Sequence, residues 1–531
     1  MLPRIKLFFE NGALGKVTTP ADGVMGLVCS GTAVGTTLAL ATAYVVRNMA
    51  MVQALGITPT YQAARQASAA VAGVAAQSGW LNIGTLGNVG SQVTIAVDGT
   101  VIGTYERIAG DATTEDLELG LAAAVNLNTA SHTYTCTRTV GDGIRITAPL
   151  AAGATANGKV VQLAWSNGNQ SSPLGSGVTA QPALTALPLI DTRKLHKTCT
   201  EFYSQAGEGA ELWLMVLPMA TPMAEMVSIA ADNATKLINA ANGRLRGLML
   251  AYDPGTGYSH TTNYNTETGM DTQVLPTLAA AQALTVWAKD VRFAPLFVAI
   301  EAYGYTGNAV ALANLKTQAK NGVCVLLGDA AAGSRGAAIG LLAGRLASTP
   351  VQRNIGRVKD GALAMQEAWL YNTEAELADV ETVHNKGYIT FRAFVGKSGY
   401  FFADDPMATA DTDDYSQLTA RRTIDKAYRI AYESMLEELL DEVPVTSAGT
   451  LQLPIVKAWE GKLEAAIASG MTANGELSAD VTDANDKGVK VYIDPDQNII
   501  SNSVLDVSLR VRPFGYPRYI NVYLGFQVIA G

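Results

Sequence analysis

From residue 183 to 395, short apolar runs alternate with longer stretches in which apolar residues recur every three or four positions. The runs at 212–217, 245–252, 295–300 and 323–327 are almost wholly apolar, and helical patterns follow them at 223–241, 275–291, 309–321 and 336–348. Strands without polar alternation are covered on both faces, so this rhythm predicts a layered α/β region with a mostly parallel sheet. Two more apolar pieces, 24–29 and 38–46, lie in a stretch, 23–46, that carries no charged residue and places Gly31 and Gly35 in GxxxG spacing. Length alone permits a membrane span there. Four glycines and a Ser-Gly-Thr break cut the stretch to strand-sized pieces, so buried strands or a strand-helix unit are expected instead.

The flanking regions show other patterns. Ile5, Leu7 and Phe9 alternate with Lys6, Phe8 and Glu10, the period of a strand, and Asn11-Gly12 breaks it; residues 1–20 read as an extended arm that must pair with a sheet edge. Residues 81–182 are rich in Gly, Thr, Ala, Ser and Asn. Val93, Ile95 and Val97 alternate ahead of an Asp98-Gly99 hairpin turn, and Thr113 to Asp116 reads as a helix start with Leu117, Leu121 and Val125 as its stripe. Short strands at 134–136, 144–147 and 160–164 complete a small β-rich module, read as an insertion between 21–80 and 183–395. Beyond it, a hairpin turns at 396–399. A long helix at 416–442 has Ile424, Tyr428, Ala431, Met435 and Leu439 as its expected buried stripe, and a second helix spans 454–468. Three alternating strands close the chain: Val489 to Ile493, Leu505 to Val511, and Ile520 to Phe526.

Composition narrows the function. The chain has 531 residues, enough for three or four domains at about 150 each. Charged residues are only 16%, and 38 basic against 47 acidic residues give −9, which disfavours wrapping nucleic acid. The four cysteines and four histidines are scattered, with no CxxC and no metal-ligand spacing, so reduced buried thiols and no metal are expected. The N-terminus lacks the apolar core of a signal peptide.

Catalytic motifs are equally sparse. Gly396-Lys397-Ser398 lacks the glycine a Walker loop needs, since Phe391 fills that slot, and reads as a hairpin tip. The glycines of 328–340 have the wrong spacing for a dinucleotide loop and suit a tight strand-to-helix turn. The acidic cluster Asp404, Asp405, Asp411, Asp413 and Asp414 lacks calcium-loop spacing and reads as a solvated loop. Asp253 and Asp329, at strand ends, are the candidates an α/β hydrolase or nucleotide-dependent transferase would use. Tyr105, Tyr134 and Trp165 are those a sugar-binding module would use. The long helix runs against its dipole, with Arg421, Arg422, Lys426 and Arg429 first and Glu433, Glu437, Glu438, Asp441 and Glu442 after. An exposed, salt-bridged face is the expectation; complementary partners at each end are the alternative.

The C-terminal third carries a family resemblance. ARRTIDKAYRIAYESMLEELL, then LPIVKAWEGKLEAAIASGM, then VKVYIDPDQNIISNSVLDVSLRVRPFGYPRYINVYLGF resemble the conserved domain of contractile tail sheath proteins. The order of an α/β region, a hairpin and this domain matches that family, although Tyr400-Phe401-Phe402-Ala403 stands where sheaths often have Trp-Gly-x-Arg-Thr. The resemblance implies an α+β multidomain fold: an arm at 1–20, a central domain from 21–80 and 183–395, an outer decoration domain at 81–182, a conserved domain at 396–515, and an arm strand at 516–531. It implies a non-enzymatic, cofactor-free subunit of a helical sleeve that contracts around an inner tail tube and drives it through a cell envelope. Implied partners are copies of itself, the tube protein, and baseplate and tail terminator proteins, in a phage tail assembled in the bacterial cytoplasm. Nucleic-acid contact and membrane insertion are not implied. Ile5, Leu7, Phe9, Leu505, Val507, Leu509, Ile520, Val522, Leu524 and Phe526 become inter-subunit strand residues, and Lys457 and Lys462 candidates for facing the tube.

Overall fold

The computed structural model describes residues 21–61, 76–149, 156–165 and 194–522, less 79, 85, 157–158, 255–257 and 484, together with the short strand Thr185–Ala186. Ile5, Leu7, Phe9, Leu524 and Phe526 lie outside the described residues. The chain divides into two compact units, one of residues 1–59, 194–330 and 335–531, the other of 60–193 and 331–334.

The first unit is built on a six-stranded sheet of β1 (Met25–Gly31), β2 (Ala43–Val46), β3 (Leu212–Pro218), β4 (Gly247–Ala251), β5 (Phe297–Glu301) and β6 (Val323–Leu326), in the order β6-β5-β4-β1-β3-β2. β1 pairs in parallel with both β3 and β4, and β5 and β6 extend the parallel series. Only β2 runs antiparallel, on the edge of β3. Every residue of β1, β4, β5 and β6 is buried, as their unbroken apolar sequences require. The uncharged stretch at 23–46 is therefore a central and an edge strand, and no described helix is long and apolar enough to cross a membrane.

Helix α1 (Lys194–Ala206) and helix α3 (Ile339–Ser348) pack on each other and on the sheet. Their approach depends on absent side chains. A Cβ at Gly340 would lie 2.2 Å from the Thr198 carbonyl oxygen, and one at Gly344 2.6 Å from that of Phe202. Helix α2 (Val274–Asp290) covers β5 and β6. Two helical expectations fail. The pattern at 223–241 is two helices, Met223–Val227 and Ala234–Ala241, because Ser228 turns extended and Asp232 takes a left-handed backbone. The pattern at 309–321 forms turns and one short 3-10 segment, Leu315–Thr317. There, Asn308 and Asn314 side chains capture the N–H groups of Val310, Ala311 and Lys316, offering the backbone an alternative to helix.

Helix α4 (Leu418–Met435) is shorter than its sequence pattern and buries a different face. Leu418, Thr419, Arg421, Arg422, Thr423, Asp425 and Ala427 are buried, whereas Leu439 is exposed and Ile424, Tyr428, Ala431 and Met435 are only half-buried. The basic half expected in solvent is inside. Arg422 donates to the carbonyls of Leu346 and Thr349, both at 2.9 Å, satisfying orphan acceptors at the end of α3. Arg421 pairs with Asp425 at 3.0 Å. Lys426 bridges Asp22 and Glu476, each at 2.6 Å, and Arg429 reaches Asp22 at 3.4 Å and the Pro295 carbonyl at 3.2 Å. An amphipathicity argument that puts every charge outside fails because these cations have partners waiting on other elements.

The second unit has a core of Val93, Ile95, Leu117, Leu121, Val125, Ile144, Ile146 and neighbours. Strands Gln92–Val97 and Thr100–Glu106 form the expected hairpin. Asp98 and Gly99 both have positive φ, the backbone a tight hairpin of matching twist requires. Thr113 and Asp116 cap each other's N–H groups at the start of helix Thr114–Leu127, and the predicted stripe is fully buried. Ala76–Gln77 lies between strand Gly143–Thr147 and Thr185–Ala186 and pairs with both, so this unit reaches beyond residues 81–182 on both sides. Tyr105, Tyr134 and Trp165, the candidate sugar-stacking rings, are half-buried and packed against its core.

The fold makes one direct prediction. Gly340→Ala pushes a methyl into the backbone of α1, and a loss of unfolding free energy of about 1–3 kcal/mol, read as a lower denaturant midpoint, is expected in equilibrium unfolding.

Candidate functional site

The carboxyl edge of a parallel sheet is where α/β enzymes place their chemistry, so Asp253 and Asp329 come first. Both are buried. The main chain of Asp253 is tied to Ser30, whose hydroxyl donates to its carbonyl at 2.8 Å and accepts from its N–H at 2.7 Å. Asp329 pairs with Lys197, which also holds Glu201 at 2.6 Å. Glu301 pairs with Lys194 and accepts the N–H groups of Tyr252 and Ala337 at 3.0 and 3.2 Å. Burial, with the charge of Glu201, pushes the nearby Cys199 thiol up to about 12, away from nucleophilic chemistry. These groups close the strand ends upon one another.

The C-terminal segment is different in kind. Helix α5 (Leu453–Gly470) is followed by an antiparallel pair, β7 (Val489–Ile493) and β8 (Val507–Val511). Alternation sets their faces. Leu509 and Val511 pack with Val489 on Val351, Ala427, Ile467, Met471 and Leu477, and Leu505 and Val507 pack around Val456 and Ile493. Lys490, Tyr492, Ser508 and Arg510 face solvent.

The two outer edges of this pair are unlike. Glu464 accepts the N–H of Val491 at 3.1 Å and Glu460 that of Ile493 at 2.9 Å, so β7's outer donors are covered by one face of α5. Antiparallel pairs alternate between facing and averted backbone groups. Since Val491 and Ile493 turn away from β8, their register partners Leu509 and Val507 turn away from β7. Among the described residues no strand pairs with the outer edge of β8. Burial pushes the Glu460 carboxyl up, but Lys457 and the Ile493 N–H outweigh it and hold it below the ordinary range.

Lys457 lies 2.6 Å from Glu460, and Lys462 is bound to Glu438, with Glu437 at 3.6 Å. Leu505, Val507 and Leu509 are brought together with α5. Ile520 and Val522 are exposed and not in a strand, unlike the closing strand expected there.

The segment after β8 crosses a groove of about 1830 Å³ lined by Gln352, His384, Arg392, Asp404 and Tyr516 among others. The Tyr516 hydroxyl donates to the Gln352 carbonyl, and Arg518 meets Asp404 at 3.0 Å and Asp405 at 3.8 Å. The expected solvated acidic loop is in this part buried; Asp405 is 1% exposed. It accepts from Asn354 at 2.7 Å and from the Thr419 N–H at 2.8 Å, at the start of α4. Burial and the adjacent Asp404 charge push Asp405 up to about 8. Burial opposes ionisation of Asp404 too, but Arg518 and Asn354 hold it below its ordinary value. Sequence spacing misses this pair because Asn354, Thr419 and Arg518 are distant in the chain. Glu460 and Glu464 are missed as well, although one signal could have found them: i,i+4 spacing places both on one helix face.

The sequence matches both parts of one family, DUF2586: its N-terminal domain over residues 151–406 and its C-terminal domain over 414–530. No curated protein matches. Among solved structures, the chain is similar to the sheath tail protein of Desulfitobacterium hafniense, at 10% identity and TM-score 0.35, over 96% of this chain and 100% of that one. It is similar to a chain of the anti-feeding prophage baseplate at 14% identity and TM-score 0.41, over 62% of this chain and 80% of that one. The sheath complex of the extracellular contractile injection system PVC, in its contracted state, gives 14%, 0.38, 63% and 81%. In each case the likeness is remote.

Asp405 gives a pH signature. Its folded value lies above the unfolded one near pH 4, so the folded state holds the extra proton and stability drains away as pH rises from about 4 to 8. Asp405→Asn removes that proton. The stability of the wild type relative to this variant is expected to fall across the window, read by thermal unfolding at pH 5, 6.5 and 8.

Proposed function

We propose that this chain is a structural subunit of a contractile tail sheath and not an enzyme. The observation that carries the reading is the asymmetric pair β7/β8: one edge is covered by Glu460 and Glu464, and among the described residues no strand lies on the other. An open edge is a template for a strand from another chain, and main-chain hydrogen bonds supply the link. The C-terminal sequence resemblance supports the same reading. So does the closed state of the strand-end cluster, which leaves Asp253, Asp329 and their neighbours engaged structurally rather than poised for an α/β hydrolase or transferase.

In this reading β8 accepts an arm strand from a neighbouring copy. Ile5, Leu7 and Phe9, or Ile520, Val522, Leu524 and Phe526, provide the apolar alternation. Copies build a helical sleeve around an inner tube, between baseplate and terminator proteins, in a tail assembled in the bacterial cytoplasm. Strand links hold while the subunits swing as rigid bodies, and contraction drives the tube through the target envelope. The second unit, which contains residues 81–182, serves as an outer decoration domain.

The test removes an edge donor without touching the internal pair. Val507 turns its N–H outward, so Val507→Pro keeps the β7–β8 bonds and blocks addition. Native circular dichroism, with monomers and no sleeves in electron micrographs, is expected for V507P and for chains lacking residues 1–12. Sleeves of normal length from both would refute the proposal.

A further inference from the structure

Past the end of α4 the chain holds leucines in water. Leu436, Leu439 and Leu440 are 50%, 68% and 96% exposed. Leu440 has φ +66, a left-handed backbone that a bulky residue rarely adopts. Strain combined with exposure is hard to explain inside one molecule. Asp441 and Glu442 flank these leucines, exposed and in no described ion pair, which makes the turn apolar with an acidic rim.

A surface of opposite character lies on the same chain. On the solvent face of β7/β8, Lys490 stands directly opposite Arg510, and Tyr492 opposite Ser508. Like charges facing each other across a pair repel. Lys490 reaches only Glu464, at 3.7 Å, and Arg510 has no described ion pair. Two cations beside an exposed aromatic ring suit a partner that brings carboxylates around an apolar knob. No described ion pair joins the two surfaces within one chain.

We infer that the Leu436–Leu440 turn of one copy docks on the β7/β8 solvent face of a second copy, Asp441 and Glu442 meeting Lys490 and Arg510. Two different surfaces meet, and in a helical sleeve the contact is heterologous and runs from copy to copy; a reciprocal two-fold dimer would stop the ladder below at two chains. It rests on the polymerising reading above but uses the face of the sheet, not its edge.

The test uses the full chain. Leu440→Cys with Ser508→Cys puts one thiol on each surface, while the four native cysteines are buried. Under mild oxidation the double variant is expected to give a ladder of disulfide-linked multimers, and either single variant none. Separately, Lys490→Glu with Arg510→Glu, and Asp441→Lys with Glu442→Lys, are each expected to raise the concentration needed for self-association about tenfold. An equimolar mixture of the two is expected to restore it. No ladder, with both charge variants associating like the wild type, overturns the inference. So does a charge effect confined to binding a separate tube protein. Wild-type sleeves in either case leave the sheath reading intact; a ladder without sleeves upholds this contact and sinks that reading.

Discussion

The buried charged face of α4 is the constraint on which the first unit depends. Arg422 closes the end of α3, and Lys426 and Arg429 converge on Asp22, just before β1. A helix from the last quarter of the chain is thereby locked to its first described strand and to the helix under the central sheet. Cations buried this way are expensive to leave alone, because removing one partner strands the other in a poor solvent for charge. The network fixes placement more than it adds stability.

That network also marks where sequence reading ends. The central strands were legible because an unbroken apolar run has few other uses, and the Asp98-Gly99 hairpin and the Thr113 cap because their chemistry is local. The burial of Arg421, Arg422 and Asp425 was not, since a charged helix face reads as solvated until its partners, spread from Asp22 to Glu476, are folded beside it. The stretch at 309–321 failed for a nearer reason: two asparagines compete for the backbone, and composition alone does not show them winning.

Part of the candidate site was legible as well. Leu505, Val507 and Leu509 emerged from strand alternation. The difference between the two edges did not, because it depends on which N–H groups Glu460 and Glu464 reach, a matter of register. Covering one edge is a familiar defence against indiscriminate pairing. Here the cover falls on β7 alone, and among the described residues no strand lies on β8's outer edge.

Tyr516 and Arg518 peg the stretch after β8 to groups far back in the sequence, the Gln352 carbonyl and the Asp404 carboxylate. Each peg closes a long loop of chain, and the backbone freedom given up in closing it is lost when this one molecule folds. Cutting either peg would return that freedom to residues 512–518 first.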